Sequence, residues 1–404
     1  MAELKGKEYL IAKLDRKRPR VVLRYEYYEQ KHRARDFGIS TPDDLLALRY
    51  TNGWCTKAVD VLADRLQFAG WRNDNFDLAG IFNMNNPDVL YNSAILSALI
   101  SACCFIVVSP SGSDIPRLQV IDGGNATGII DEFTGLLQEG YAVLERDDSK
   151  QVTQDAYFTP EETIYYDHGK EIQRVSNPAP YPLLSPVIYR PDAMRPFGHS
   201  RISRKAMEIS DMAARTLKRS EISAEYYSIP QKYVTGLSED AEPMDKWKAS
   251  ASSMLSFTKD DEGESPKLGQ FNAGSPTPFN EQLTMLAGEF CRETGLAMSD
   301  MIINTANPTS SDAIKAEHEV MRLTARKAQE CFGSSFLNAG YLAACLRDEY
   351  PYEREQMYLT RAAWNPIFEP DASQLGALGD AILKLNQAQP GYLDGDKIHD
   401  LLGM

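Results

Sequence analysis

Residues 196–237, PFGHSRISRKAMEISDMAARTLKRSEISAEYYSIPQKYVTGL, decide the fold. They read as one long helix that stops abruptly and delivers the chain into a strand. Ser200 is placed to cap the helix and Arg201 to open it, and Ile202, Ala206, Ile209, Ala213, Leu217 and Ala224 fall near one face. Neither Gly nor Pro interrupts from Arg201 to Ile229, so the helix would span about 40 Å at 1.5 Å per residue, and Pro230 ends it. Lys232-Tyr233-Val234 follows as a short β-prone run closed by Gly236. A helix this long, with so narrow a stripe rich in Ala and Ser, needs neighbouring helices. It does not read as the buried centre of a compact enzyme domain.

The 404 residues leave room for two or three domains or for one elongated subunit. Forty-three basic against 57 acidic residues give a net charge of -14, which argues against clamping nucleic acid by phosphate neutralisation. DNA, if it is met at all, passes. The six cysteines show no CxxC spacing and the five histidines are scattered, so neither a zinc site nor another metal or cofactor is expected. The longest apolar run, residues 94–108, is interrupted by Ser97 and Ser101 and is too short to span a bilayer. With a charged N-terminus and no signal-type core, the expectation is an intracellular protein, in which the Asn125-Ala126-Thr127 glycosylation triplet has no meaning.

Residues 1–36 are basic and aromatic, with Lys13, Arg16, Lys17, Arg18, Arg20 and Arg24 beside Tyr25, Tyr27 and Tyr28. Two readings stand: a nucleic-acid arm, or a solvated helix whose tyrosines dock on the body. Cys55, Val59, Leu62, Ala63 and Leu66 share one face of an amphipathic helix, and Cys55, with no histidine partner in view, reads as a packed core residue. Residues 87–103 form a small-residue helix that passes into the strand Cys104 to Val108 and a Ser/Gly turn. That turn lacks the phosphate-loop order, and residues 123–128 lack the dinucleotide-binding glycine order and read as a turn. Successive antiparallel strands are expected from residue 140 to 166, with Asp167-His168-Gly169-Lys170 at a hairpin tip. Residues 177–182 make a stiff Pro-rich connector. Residues 232–271 form a small strand module with an acidic loop, residues 259–265, too small to hold much core alone. Residues 279–294 are a returning helix with Leu283, Leu286, Ala287 and Phe290 to one side, followed by a non-helical stretch and a very long helix from Asp312 to about Arg347, capped by Ser310 or Ser311.

In this order the segments resemble the portal proteins of tailed bacteriophages, of the siphophage type. The resemblance is carried by Phe197-Gly198-His199-Ser200 at the helix entry and Pro230-Gln231-Lys232-Tyr233-Val234 at its end. It extends to Trp54-Cys55, Val59-Asp60, Arg65-Leu66 and Gly70-Trp71, and to Thr294-Gly295-Leu296 followed by Asn307-Pro308 and Ala313-Ile314. Arg361-Ala-Ala-Trp364-Asn-Pro366 matches the segment that closes the wing in part, lacking an acidic residue between Trp and Pro. The resemblance implies an elongated α+β subunit. Residues 1–195 would be most of a wing, 196–229 a stem helix, 230–276 a clip, 277–300 the returning stem helix and 301–311 a tunnel loop. Residues 312–367 would be a long crossing helix with wing closure, and 368–404 a short helical crown.

It also implies a homo-oligomeric ring, twelve subunits in the virion, at one capsid vertex, with assembly in the host cytoplasm. Double-stranded DNA would pass through its channel, and its partners would be the terminase large subunit, a head-completion or adaptor protein, and capsid and scaffolding proteins. The tunnel loop supplies Asn304, Thr305, Asn307, Thr309 and Ser310 as channel contacts. Lys315, Arg322 and Arg326 fall near one face of the crossing helix and read as a solvated face or a DNA-facing one. Gln231, Lys232, Trp247, Asp260, Asp261 and Glu262 are the candidate docking surface of the clip. No catalytic residue is expected. The competing classes are another virion structural protein, such as an adaptor or capsid subunit, and an enzyme of DNA metabolism, which would need clustered carboxylates or histidines.

Overall fold

The computed structural model describes residues 4–37, 47, 50–112, 114–228, 232–235, 267–270, 275–301, 316–368 and 372–393. Helices and antiparallel strands are mixed along the chain. In order they are α1 (Lys7–Tyr28), α2 (Trp54–Ala63), β1 (Phe68–Arg72), α3 (Leu78–Asn83), α4 (Pro87–Ser101), β2 (Cys103–Ser109), β3 (Arg117–Ile121), β4 (Ala126–Ile130), β5 (Leu137–Arg146) and β6 (Val152–Phe158). Then come β7 (Glu162–Asp167), β8 (Lys170–Ser176), β9 (Leu184–Ile188), α5 (Arg204–Ser228), β10 (Lys232–Thr235), β11 (Lys267–Gln270), α6 (Thr277–Thr294), α7 (Glu319–Arg347), β12 (Arg361–Trp364) and α8 (Ala372–Ala388). The chain divides into two compact units, one of residues 1–32, 53–207 and 291–404, the other of residues 33–52 and 208–290. The long helices α5 and α6 each begin in one unit and end in the other.

In the first unit, β4 to β8 form a five-stranded antiparallel sheet in sequence order. Strand alternation places Tyr141, Val143, Tyr157 and Ile164 on one face, where Leu10 and Leu14 of α1 cover them. The basic leader is therefore a folded helix docked on the sheet. Val21 adds to its buried side, and Tyr28 donates to Asp60 Oδ1 at 2.8 Å. Burial pushes the Tyr28 phenol up to about 12. A buried carboxylate needs partners, and Glu139, 1% exposed, has three: the N–H groups of Lys5 and Gly6 and the Tyr157 hydroxyl.

A second sheet, β3-β2-β9, is built around β2, which is buried on both faces because α4 and α7 also pack against this sheet. That accounts for its unbroken apolar sequence. The expected helix-to-strand passage is present, with Ala102 at φ 83° making the break. At the β7–β8 hairpin both His168 (φ 47°) and Gly169 (φ 77°) adopt left-handed conformations, as a two-residue turn requires. The segment from Gly123 to Gly128 departs from its reading as a turn throughout. The turn ends at Asn125 and β4 begins at Ala126, with Gly128 packed so closely that a β-carbon would lie 2.8 Å from Glu139 O.

The third ladder joins two segments far apart in sequence. β1 pairs antiparallel with β12, setting Phe68 opposite Trp364 and Trp71 opposite Ala362. Around it Phe68, Tyr91, Phe336 and Trp364 form one aromatic cluster. Cys55 is buried, in keeping with a core role, and none of the six cysteines is in a disulfide. Burial pushes the thiols of Cys291 and Cys345 up to about 11. Among the described residues no helix is long and apolar enough to cross a membrane.

Candidate channel and docking segments

The entry to the long helix shows what each residue of Phe197-Gly198-His199-Ser200 does. Phe197 lies with its ring centroid 6.0 Å from that of Phe105 and 5.0 and 5.7 Å from the ammonium groups of Lys13 and Lys17. Gly198 has φ 74°, and a β-carbon there would sit 2.1 Å from Tyr189 O, so only glycine fits. The His199 N–H donates to that same carbonyl at 2.9 Å, and its Nε2 lies 2.5 Å from Asp192 Oδ2. This hydrogen bond, together with the Arg195 N–H, holds the Asp192 carboxyl below its usual range.

Ser200 is not the cap of the helix. Its hydroxyl donates to Ile100 O at 2.5 Å and accepts from the Ile202 N–H, tying the entry to the C-terminal carbonyls of α4. Arg201, 8% exposed, donates through its N–H to Leu99 O and through Nε to Ala58 O. The cap falls three residues later, where Ser203 Oγ accepts from the Ala206 N–H at 3.1 Å and donates to Glu293 Oε1 at 2.6 Å. Ile202, Ala206, Ile209 and Ala213 are buried as their spacing predicts, whereas Ala224 is exposed.

Within the second unit α5 is stitched to a segment that sequence reading missed. Lys218, buried, pairs with Asp36 at 2.8 Å, and the Arg215 guanidinium lies 4.8 Å from the Phe37 ring centroid. Asn52 and Ser210 exchange two hydrogen bonds, at 2.7 and 2.9 Å. The strand expected at Lys232-Tyr233-Val234 is β10, and it pairs antiparallel with β11, Lys232 opposite Gln270 and Thr235 opposite Lys267. Of the docking candidates, only Lys232 belongs to a described strand. Gln231, Trp247, Asp260, Asp261 and Glu262 lie outside the described residues.

Helix α6 buries Leu286, Ala287, Phe290 and Cys291 and ends at Gly295, whose φ of 68° and N–H bond to Cys291 O make it a glycine stop. Thr294-Gly295-Leu296 is thus a helix terminus by chemistry as well as by resemblance. The tunnel-loop candidates Asn304, Thr305, Asn307, Thr309 and Ser310, and also Lys315, lie outside the described residues. The chain on either side of them is brought together: Glu317 Oε1 accepts from the Ser299 N–H at 3.1 Å, which holds the Glu317 carboxyl below its usual range. His318 Nδ1 lies 4.0 Å from Asp300 Oδ2.

His318 precedes α7, so the described long helix opens at Glu319 rather than running unbroken from Asp312. Arg322 is forked onto Glu319 by two hydrogen bonds of 2.7 Å, which lowers the carboxyl and raises the guanidinium. Its charge is engaged within its own helix, and of the three basic candidates Arg326 stands exposed. The second half of α7 is core, with Phe332, Phe336, Tyr341 and Leu342 fully buried. Among the described residues no group of three His, Cys, Asp or Glu is placed to hold a metal ion.

No protein-family model matches the chain. Two curated relatives do, both named portal protein. That of Mycobacterium phage D29 is 23% identical over 401 residues, covering 93% of this chain and 81% of the relative. That of Mycobacterium phage L5 is 24% identical over 341 residues, covering 78% of this chain and 69% of the relative. Among solved structures, a chain of the virion of a native gene transfer agent particle superposes with TM-score 0.47 at 13% identity, covering 95% of this chain and 99% of that one. One from the neck of the native particle gives 0.48 at 13%, covering 95% and 98%. The segments that carried the resemblance in the sequence thus sit in a chain with portal proteins of two phages as its relatives along most of its length. The chain is similar, along most of its length, to the proteins named portal protein of two mycobacterial phages.

Proposed function

We propose that this chain forms a closed ring, dodecameric in the virion, at one vertex of a tailed-phage capsid. Double-stranded DNA passes through the ring during packaging and ejection. In this reading the protein is structural and catalyses nothing. Residues 1–195 and 312–367 form the wing, α5 and α6 the stem, residues 230–276 the clip, residues 301–311 the tunnel loop and residues 368–404 the crown. Assembly takes place in the host cytoplasm, with capsid and scaffolding proteins around the ring. The clip docks the terminase large subunit and, after packaging, a head-completion or adaptor protein. The observation that carries the reading is the similarity to two named portal proteins, along 93% and 78% of the chain. One feature of the chain agrees with it. Helices α5 and α6 flank the β10–β11 ladder, and a small strand pair of this kind gains stability by packing on copies of itself.

The clip assignment has a direct test. Deleting residues 260–264 should leave the oligomer and its helical content unchanged while weakening binding of the terminase large subunit by at least about tenfold. Pull-down or interferometry against the purified terminase reads the second effect, and sedimentation with circular dichroism reads the first. A deletion that unfolds the subunit, or one that leaves docking at full strength, contradicts the assignment.

A further inference from the structure

We propose that an acidic groove in the first unit receives the basic outer face of α1 from a second copy of this chain. The proposal rests on the ring reading and names the two surfaces that meet in it.

The groove, of 1070 Å³, lies between the 131–135 turn, β9, α7 and residues 351–355. Its walls are Tyr181, Pro186 and Tyr352, and Phe133 stands at its mouth, 97% exposed. Glu330, Glu353 and Glu355 supply its charge, and none has a cation within ion-pair distance among the described residues. The only cation among the lining residues, Arg354, is half-buried and donates through Nε to Asn338 Oδ1 at 2.8 Å. Among the described residues, three carboxylates and an aromatic, proline-lined wall are thus left without an occupant from their own chain.

The complementary surface lies on α1. Tyr9, Arg16, Arg20 and Leu23 fall within about 60° of one another on a 3.6-residue helix, and all four are exposed. The inner cations of the same helix are occupied: Lys13 donates to Gly128 O, Lys17 to Ala126 O and Arg24 to Ser101 O. Arg16 donates through Nε only to Ala12 O of its own helix, at 3.2 Å, and neither it nor Arg20 has a carboxylate within ion-pair distance among the described residues.

Charge complementarity selects a second copy as the occupant. Each copy carries a net charge of -14, so copies repel at long range, and a stable contact between them must set opposite charges against each other locally. Two arginines meeting three glutamates do this, while Tyr9 and Leu23 supply apolar area for the tyrosine and proline walls. DNA is excluded by the same three carboxylates. The two patches are different parts of one chain, which makes the contact heterologous, the type that closes into a ring.

Charge reversal with rescue tests the proposal on the full-length protein. Three variants are made: Arg16→Glu with Arg20→Glu, Glu330→Arg with Glu353→Arg, and all four together. Sedimentation and native mass measurement across a concentration series read assembly, and circular dichroism reads folding. Each pair should raise the concentration at half-assembly by at least about tenfold with folding unchanged, and the fourfold variant should return to within about threefold of the parent. Pairs that assemble like the parent, or a fourfold variant no better than either pair, overturn the proposal while leaving the ring reading intact. Pairs that lose binding to another virion protein while their rings form normally give the groove to that protein, and also overturn it. A parent that stays monomeric throughout overturns the ring reading itself, and the groove proposal with it.

Discussion

Phe336→Ala should cost the fold about 3–5 kcal/mol, because a large buried aromatic is lost and its cavity is held open by its neighbours. Phe336 is fully buried on α7, with ring centroids 4.8 Å from Tyr91 on α4, 5.8 Å from Phe68 on β1 and 6.4 Å from Trp364 on β12. Four elements therefore meet on one side chain. The β1–β12 ladder fixes two of the cavity walls, so the site cannot collapse without breaking strand pairing. Alanine favours helix, so the loss cannot come from α7 itself. Phe336→Leu, which keeps most of the volume, should lose far less. Denaturant unfolding followed by circular dichroism measures both. A loss below about 1 kcal/mol for the alanine variant would mean that this aromatic cluster does not bind the C-terminal segment to the body.

The second large effect is expected on packaging. Asn304→Lys combined with Thr305→Lys should leave rings assembled and reduce DNA packaging into proheads by at least about tenfold. If residues 301–311 line the constriction, neutral amides and hydroxyls there exchange hydrogen bonds with passing phosphates. Added lysines, repeated around a ring, gain counterion-release affinity at each phosphate and retard the duplex. In that case the negative charge of the subunit would act in the permissive direction, discouraging adhesion of DNA to the wall. Packaging at the parental rate and to the parental length would remove these residues from the channel.

Much of the fold was legible because it is written in local chemistry. The β2 run is continuous and apolar since it is covered twice, the His168-Gly169 turn needs two left-handed residues, and α6 stops where glycine permits it. The start of α5 was misread by three residues for a reason that no local pattern contains. Ser200 and Ser203 are equally good caps in isolation, and Ser200 is diverted by carbonyls of Leu99 and Ile100, a hundred residues away. The pairing of Lys218 with Asp36 and of β1 with β12 were invisible on the same ground, since long-range polar pairs and ladders leave no periodicity. The engagement of Arg322 is written in local spacing, since Glu319 stands three residues before it on the same helix face. The groove could not be read at all, because its glutamates and tyrosines come from three separated stretches of chain.

The proposed function requires that this subunit close into a ring around a channel. Electron microscopy of the purified full-length protein, with native mass measurement on the same sample, tests it most directly. Closed rings with an axial opening are expected, with one well-defined mass that is an integral multiple of the subunit mass of 45.2 kDa. A population that remains monomeric at micromolar concentration, with its helices folded, would contradict it.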